Sequence, residues 1–145
     1  MDVIAEAAAV REGVQRLSRR LQGERSAAGL SLTKTSLLGH LARRGDLSPG
    51  ELAAADRLQP QSVTRVLAEM ERDGLVQRYP DPVDKRTHRI RLTVTGRATL
   101  GADMRRRDEW LAGAMASLSP SERATLLEAA DLLARLGESS DPPRH

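Results

Sequence analysis

The chain has 145 residues, 23 of them basic and 20 acidic, for a formal net charge of +3 at pH 7. It has no cysteine, which excludes disulfides, a thiol-based sensor and cysteine-ligated zinc. No apolar run approaches the ~20 residues that span a bilayer, and Asp2 and Glu6 do not suit a signal peptide, so the cytoplasm is the expected location.

The length suits one domain. Aromatic residues make up only 1% of the chain, with Phe absent and Tyr79 and Trp110 single. A core of Leu, Val and Ala supplies less area per residue than an aromatic one. Burial against a second copy of the chain is therefore an expected supplement.

Residues 1 to about 22 are predicted to form a first helix. Val3, Ile4, Ala7, Val10, Val14, Leu17 and Leu21 make an apolar stripe at helical spacing, and Gly23-Glu24-Arg25-Ser26 breaks it. Asp2, Glu6 and Glu12 spoil the purely basic face of a membrane-surface helix, so a dimer or core helix is expected. Thr33 is the predicted cap of a second helix, with Leu37, Leu38 and Leu41 on its core side and an end near Arg43-Arg44-Gly45. Ser48-Pro49-Gly50-Glu51 reads as a capping box with proline at the first helical position. It opens a third helix through Leu52 to Leu58, and the very short link to Pro60 is what a helix-turn-helix requires.

Pro60 suits the start of a fourth helix. Val63, Val66, Leu67 and Met70 fall on one side of it. The opposite side carries Gln61, Arg65, Ala68 and Arg72, with Ser62 and Thr64 on the flanks. Gln pairs bidentately with adenine and Arg with guanine, while Ser or Thr bonds either a base or a phosphate. Most such polar faces are only solvated, and it is the following segment that favours nucleic acid. Asp73-Gly74 ends the helix. Leu75-Val76-Gln77-Arg78-Tyr79 reads as a short strand, and Arg89-Ile90-Arg91-Leu92-Thr93 alternates, with Ile90 and Leu92 inward and Arg89 and Arg91 outward. The loop between them, Pro80 to His88, carries Lys85 and Arg86 at its tip. Asp84, two residues before Arg86, is placed to hold that guanidinium in one rotamer for a narrow minor groove. A helix followed by a basic two-stranded ribbon is the arrangement with which a winged helix-turn-helix grips duplex DNA.

Thr93 is the predicted cap of a fifth helix running to about Leu118, with Leu100, Met104, Leu111, Met115 and Leu118 on one side and Arg105-Arg106-Arg107-Asp108-Glu109 in a polar sector. Ser119-Pro120-Ser121-Glu122 repeats the capping box and opens a sixth helix. Its stripe is Leu126, Leu127, Ala130, Leu133 and Leu136, and Gly137 is its expected stop. Ser139 to His145 reads as a flexible tail.

Nothing in the sequence points to catalysis. His40, His88 and His145 are isolated, no phosphate-binding glycine loop or nucleophile motif is present, and Asp81/Asp84 lies on a loop with no implied apolar pocket. Neither a metal nor a cofactor is expected. The basic residues are nearly all arginine, which suits bidentate phosphate and base contacts but also follows from GC-rich coding.

The segment DPVDKRTHRIRLTVTG resembles the wing signature of the MarR family of bacterial transcription regulators, through Asp84-x-Arg86, the strand Arg89 to Leu92, and Leu92-Thr93-x-x-Gly96. The preceding LAAADRLQPQSVTRVLAEMERDGLVQR is similar to the family's helix-turn-helix. Elsewhere the resemblance covers helix order and length. It implies a mainly α fold with a small two-stranded β wing, in which residues 31–96 form the winged helix-turn-helix DNA-binding lobe. Residues 1–30 and 97–138 would form a helical dimerisation region, and 139–145 a tail. It further implies a homodimeric regulator, most often a repressor, on double-stranded DNA with a pseudo-palindromic operator. Gln61, Ser62, Thr64 and Arg65 would enter the major groove, and Asp84, Lys85 and Arg86 would serve the wing. A small-molecule effector would bind where the dimer helices meet the lobe, with Arg11, His40, Met104 and Trp110 as candidates for its pocket. The alternative is a winged-helix module for protein interaction or dimerisation without specific DNA binding.

Overall fold

In the order of the chain, the elements are α1 (Val3–Gly23), α2 (Leu32–Arg44), α3 (Pro49–Ala55), α4 (Pro60–Arg72), β1 (Val76–Pro80), β2 (His88–Leu92), α5 (Val94–Met115) and α6 (Pro120–Glu138). The computed structural model describes residues 2–24 and 29–139. The chain divides into two compact units, Met1–Asp108 and Glu109–His145. Among the described residues no helix is long and apolar enough to cross a membrane.

The core of the first unit is aliphatic. Leu37, Leu38 and Leu41 of α2, Leu52 of α3, Val63, Leu67 and Met70 of α4, Ile90 of β2 and Leu100 of α5 are all buried in one cluster. Each such side chain contributes about 1.5–3 kcal/mol on burial. The period read for α4 is thus correct, and the helix is fixed by one stripe while its other face stays free. Helices α2, α3 and α4 end or begin on short polar signals. Ser31, not Thr33, caps α2, its Oγ accepting the Lys34 N–H at 3.2 Å. Ser48 caps α3 through the Glu51 N–H at 3.1 Å, but only this half of the expected box forms, because the Glu51 carboxylate lies 3.5 Å from Arg89. α3 also stops at Ala55 rather than Leu58, since Arg57 takes a left-handed φ of 51°.

β1 and β2 pair antiparallel, with Val76 opposite Leu92 and Pro80 opposite His88, each strand lying one residue from its predicted limits. Leu47, between α2 and α3, adds a bridge to Ile90 through two backbone hydrogen bonds of 2.7 and 3.2 Å. The wing base is therefore tied into the lobe. Thr93 caps α5 as expected, its Oγ1 accepting the Gly96 N–H at 2.9 Å.

α1 is capped by Asp2 and has no buried residue. α5 stops at Met115, short of Leu118. Arg107, assigned above to a polar sector, is buried together with Asp103. In the second unit α6 begins with a complete capping box, in which Ser119 and Glu122 exchange side-chain and backbone bonds of 3.2 and 2.7 Å. Gly137 lies inside α6 instead of stopping it, and no residue of α6 is buried. The helix breakers Arg25 and Ser26 and the tail beyond Ser139 lie outside the described residues.

Candidate nucleic-acid interface

α4 offers its outer face at the end nearest α3. Gln61, Thr64 and Arg65 are exposed, and Ser62 is half-buried. The inward stripe of Val63, Leu67 and Met70 leaves these residues no other orientation. The Thr64 hydroxyl donates to the Pro60 carbonyl at 2.9 Å. With its proton committed, Thr64 presents a methyl group and an acceptor rather than a phosphate donor. The far half of α4 is braced by ion pairs. Lys34 lies 3.1 Å from Glu69, and Arg78 lies 3.4 Å from Glu71. The Lys34 hydrogen bond, and then its charge, hold the Glu69 carboxyl below its ordinary range.

The end of α4 and the wing are joined through backbone. Leu75 N–H donates to Met70 O at 2.8 Å and Gly74 N–H to Glu71 O at 3.1 Å, with Gly74 at a φ of 75°. This Schellman closure favours glycine because no β-carbon opposes the left-handed turn.

The wing tip is built around two aspartates. Asp81 Oδ1 accepts the Val83 and Asp84 N–H groups at 2.8 and 3.0 Å. These bonds, from Asp84 and then Val83, hold the Asp81 carboxyl below the usual carboxylate range, with help from Arg89. Asp84 Oδ1 then accepts both the backbone N–H and the Nε–H of Arg86 at 3.1 Å. The pairing expected from spacing is present, and the Arg86 side chain is nevertheless 92% exposed. Its remaining donors face solvent on a fixed support. Lys85 beside it is exposed as well.

The outward arginines of the wing are not free as the alternation suggested. Arg91 Nε lies 3.2 Å from Asp46 Oδ2, and its guanidinium stacks 4.6 Å above the Tyr79 ring. The Tyr79 hydroxyl donates to the same Asp46 oxygen, and Arg89 donates to the Asp46 carbonyl. The Asp46 hydrogen bond raises the Arg91 pKa above its already high value. Sequence reasoning missed Asp46, Tyr79 and Asp81 as supports. Only the Asp81-Pro82 turn carried a local signal.

Of the four residues assigned to a ligand pocket, Arg11, His40 and Met104 lie in the first unit and Trp110 in the second. Arg11 is exposed on α1, with Gln15 at 3.0 Å and Glu12 at 3.9 Å. His40 is half-buried on α2, its Nε2 3.1 Å from Asp56, which also accepts from Ser36. Met104 is exposed on α5, and Trp110 is partly buried. The first unit also has a cavity of about 320 Å³, lined by Lys34, Asp73, Leu75, Thr95 and Thr99 among others. Among the described residues no group of three or more His, Cys, Asp or Glu could hold a metal ion.

Comparison with known proteins gives the same picture. The sequence model described as the MarR family matches residues 30–88, from two residues before α2 to the first residue of β2. HTH-type transcriptional regulator MT0903.1 of Mycobacterium tuberculosis is 40% identical over 127 residues, covering 88% of this chain and 89% of its own. A Pseudomonas aeruginosa PA01 protein of known structure is 38% identical with a TM-score of 0.78, over 94% of this chain and 96% of that one. The structure of a MarR family protein from Bacillus stearothermophilus is 25% identical with a TM-score of 0.80, over 96% and 99%. An exposed helix face and a braced basic wing accompany 40% identity over 88% of the chain to an HTH-type transcriptional regulator: the chain belongs to the MarR family of winged-helix transcriptional regulators.

Proposed function

We propose that this chain is a cytoplasmic, homodimeric repressor that binds a pseudo-palindromic operator in double-stranded DNA. Residues 31–96 act as its DNA-binding lobe, and 1–30 with 97–138 as its dimerisation region. Gln61, Ser62, Thr64 and Arg65 read the major groove. Arg86, steadied by Asp84 and flanked by Lys85, reaches the adjacent minor groove or a phosphate. One observation carries the reading: Arg86 is held by two bonds to Asp84 yet stays almost wholly exposed. A guanidinium fixed before contact loses less entropy on entering a narrow groove.

The test is fluorescence anisotropy on duplex from upstream of the protein's own coding sequence, with a random duplex as control, at several salt concentrations. Wild type should bind the upstream duplex selectively and weaken steeply with salt, because counterion release dominates affinity. Arg65→Ala should cost about 1–3 kcal/mol on that duplex and much less on the control. Arg86→Ala should weaken binding as well. Weak and equal binding to both duplexes would send the search for the operator elsewhere in the genome. A genome-wide selection that also recovers no site would leave the winged helix as a protein-binding module.

The dimer reading is supported by uncovered apolar surface. α6 leaves Leu127 67% and Leu136 66% exposed, and the stripe of α1 is also uncovered. A second copy would bury these faces. Leu127→Glu with Leu136→Glu should therefore shift the sedimenting species from dimer to monomer while leaving helical content intact. An unchanged dimer would assign the contact to other residues.

An effector that releases DNA belongs to the same proposal. Arg11, His40, Met104 and Trp110 remain its candidates from sequence. The cavity beside Asp73 and Leu75 is a further one, because a ligand there would touch the end of α4 and the start of α5 together.

A further inference from the structure

We propose that Arg89 is the positioning residue of the wing, fixing the tip that carries Arg86 to the helix-turn-helix; the inference rests on the DNA-binding reading above. The strand alternation puts Arg89 on the outward side of β2, where it looks like a DNA contact. The structure commits it inside the protein instead. Its side chain is only 28% exposed, against 92% for Arg86. Its Nη1 lies 3.5 Å from the Glu51 carboxylate, in the first turn of α3, and 3.6 Å from the Asp81 carboxylate, where the tip begins. Its Nη2 donates to the Asp46 carbonyl, in the link between α2 and α3. The planar fork of arginine suits three acceptors held in different directions better than a lysine point charge does.

The base of the wing is already fixed by the bridge between Leu47 and Ile90. Beyond Pro80 the strand pairing ends. There the tip is closed by Asp81 N–H to Thr87 O and Thr87 N–H to Asp84 O, each at 3.0 Å. These bonds shape the tip without attaching it to the helices. Asp81 does both. Its Oδ1 gathers the Val83 and Asp84 N–H groups, and its Oδ2 faces Arg89. Asp84 in turn holds Arg86. A relay of Arg89, Asp81, Asp84 and Arg86 therefore runs from the start of α3 to the exposed guanidinium. A tip held at one angle to α4 loses less freedom when both meet a duplex.

The test uses the full-length chain and needs two readouts. The chain has no cysteine, so Val83→Cys, at a position 94% exposed, takes a single spin label on the tip. Asp81→Asn is the sharper variant. Its amide oxygen still accepts the Val83 and Asp84 N–H groups, while the charge facing Arg89 is gone. Arg89→Met removes the other side of the contact. Either substitution should make the label more mobile in the absence of DNA. In unlabelled protein, either should weaken binding to the upstream duplex by about three- to tenfold. Arg86→Ala should weaken binding about tenfold in the wild-type background, but no more than about twofold when added to Arg89→Met. Arg89→Lys should recover part of both readouts. Unchanged label mobility would overturn the proposal. Fully additive losses for Arg86→Ala and Arg89→Met would overturn it too, making Arg89 an independent contact. Should Arg89→Met fail to fold, Asp81→Asn decides both readouts, with Arg86→Ala added to it. If wild type binds neither duplex, the DNA-binding reading fails and takes this role with it. If wild type binds and the variants keep its affinity, only the positioning of Arg86 fails.

Discussion

Gly96→Ala is expected to destabilise the protein by about 3 kcal/mol, at the upper end of what overpacking usually costs. A β-carbon on Gly96 would lie 2.0 Å from the Leu75 carbonyl oxygen and 2.8 Å from Leu92 Cδ1. The first obstacle is backbone and has no rotamer to escape into. That carbonyl also accepts the Thr93 N–H at 3.1 Å and the Thr93 hydroxyl at 3.0 Å, so pushing it away would loosen the cap of α5 as well. Thermal unfolding followed by circular dichroism should show a fall of roughly 10 °C. Gly101→Ala is the internal control. It lies in the same helix with nothing within 4 Å of the added carbon, and it should be neutral or slightly stabilising. Equal behaviour of the two variants would refute the close approach.

Arg107→Ala should cost about 3–5 kcal/mol, the range for breaking a buried ion pair from one side. Asp103 is wholly buried, and Arg107 NH2 lies 3.0 Å from its carboxylate. The same guanidinium donates to the Leu30 carbonyl at 3.0 Å and to the Thr35 hydroxyl at 3.1 Å. It thereby holds α5 to the entry of α2. Replacing both charges, as Asp103→Leu with Arg107→Met, should recover part of the loss but not all of it. A buried charge no longer stands alone, yet the Leu30 carbonyl has lost a donor, which costs about 1–3 kcal/mol. Urea unfolding of the two single variants and the double variant would separate these contributions. Additive losses would show that the two side chains do not act as a pair.

How legible these features were depends on sequence distance. The stripe of α4, the Gly74 stop and the Asp84–Arg86 pair were readable because each is settled within a few neighbours. Arg107 was not. Its partners Thr35 and Leu30 lie 72 and 77 residues earlier, and locally it is one of three consecutive arginines. Asp46 fails for the same reason, being joined to Tyr79, Arg89 and Arg91 across 33, 43 and 45 residues. The end of α3 was misplaced because a left-handed arginine carries no signal of the kind glycine gives. Thr33 was read as the cap of α2, and the extended backbone of Ser31, with a ψ of 164°, places the cap two residues earlier. The stripes of α1 and α6 were visible too, because each is set by the spacing within its own helix.

Thr93 gives the molecule a mechanical joint. It follows the last residue of the wing, caps α5, and bonds the Gly74 and Leu75 carbonyls at the end of α4. The wing, the tail of α4 and the root of α5 are therefore tied into one piece. Within the first unit, α5 runs from Val94 to Asp108, a lever arm of about 22 Å at the usual helical rise. A displacement of about 3 Å at Asp108 would turn that piece by about 8°, a small stroke that would nonetheless swing Gln61 and Arg86 together.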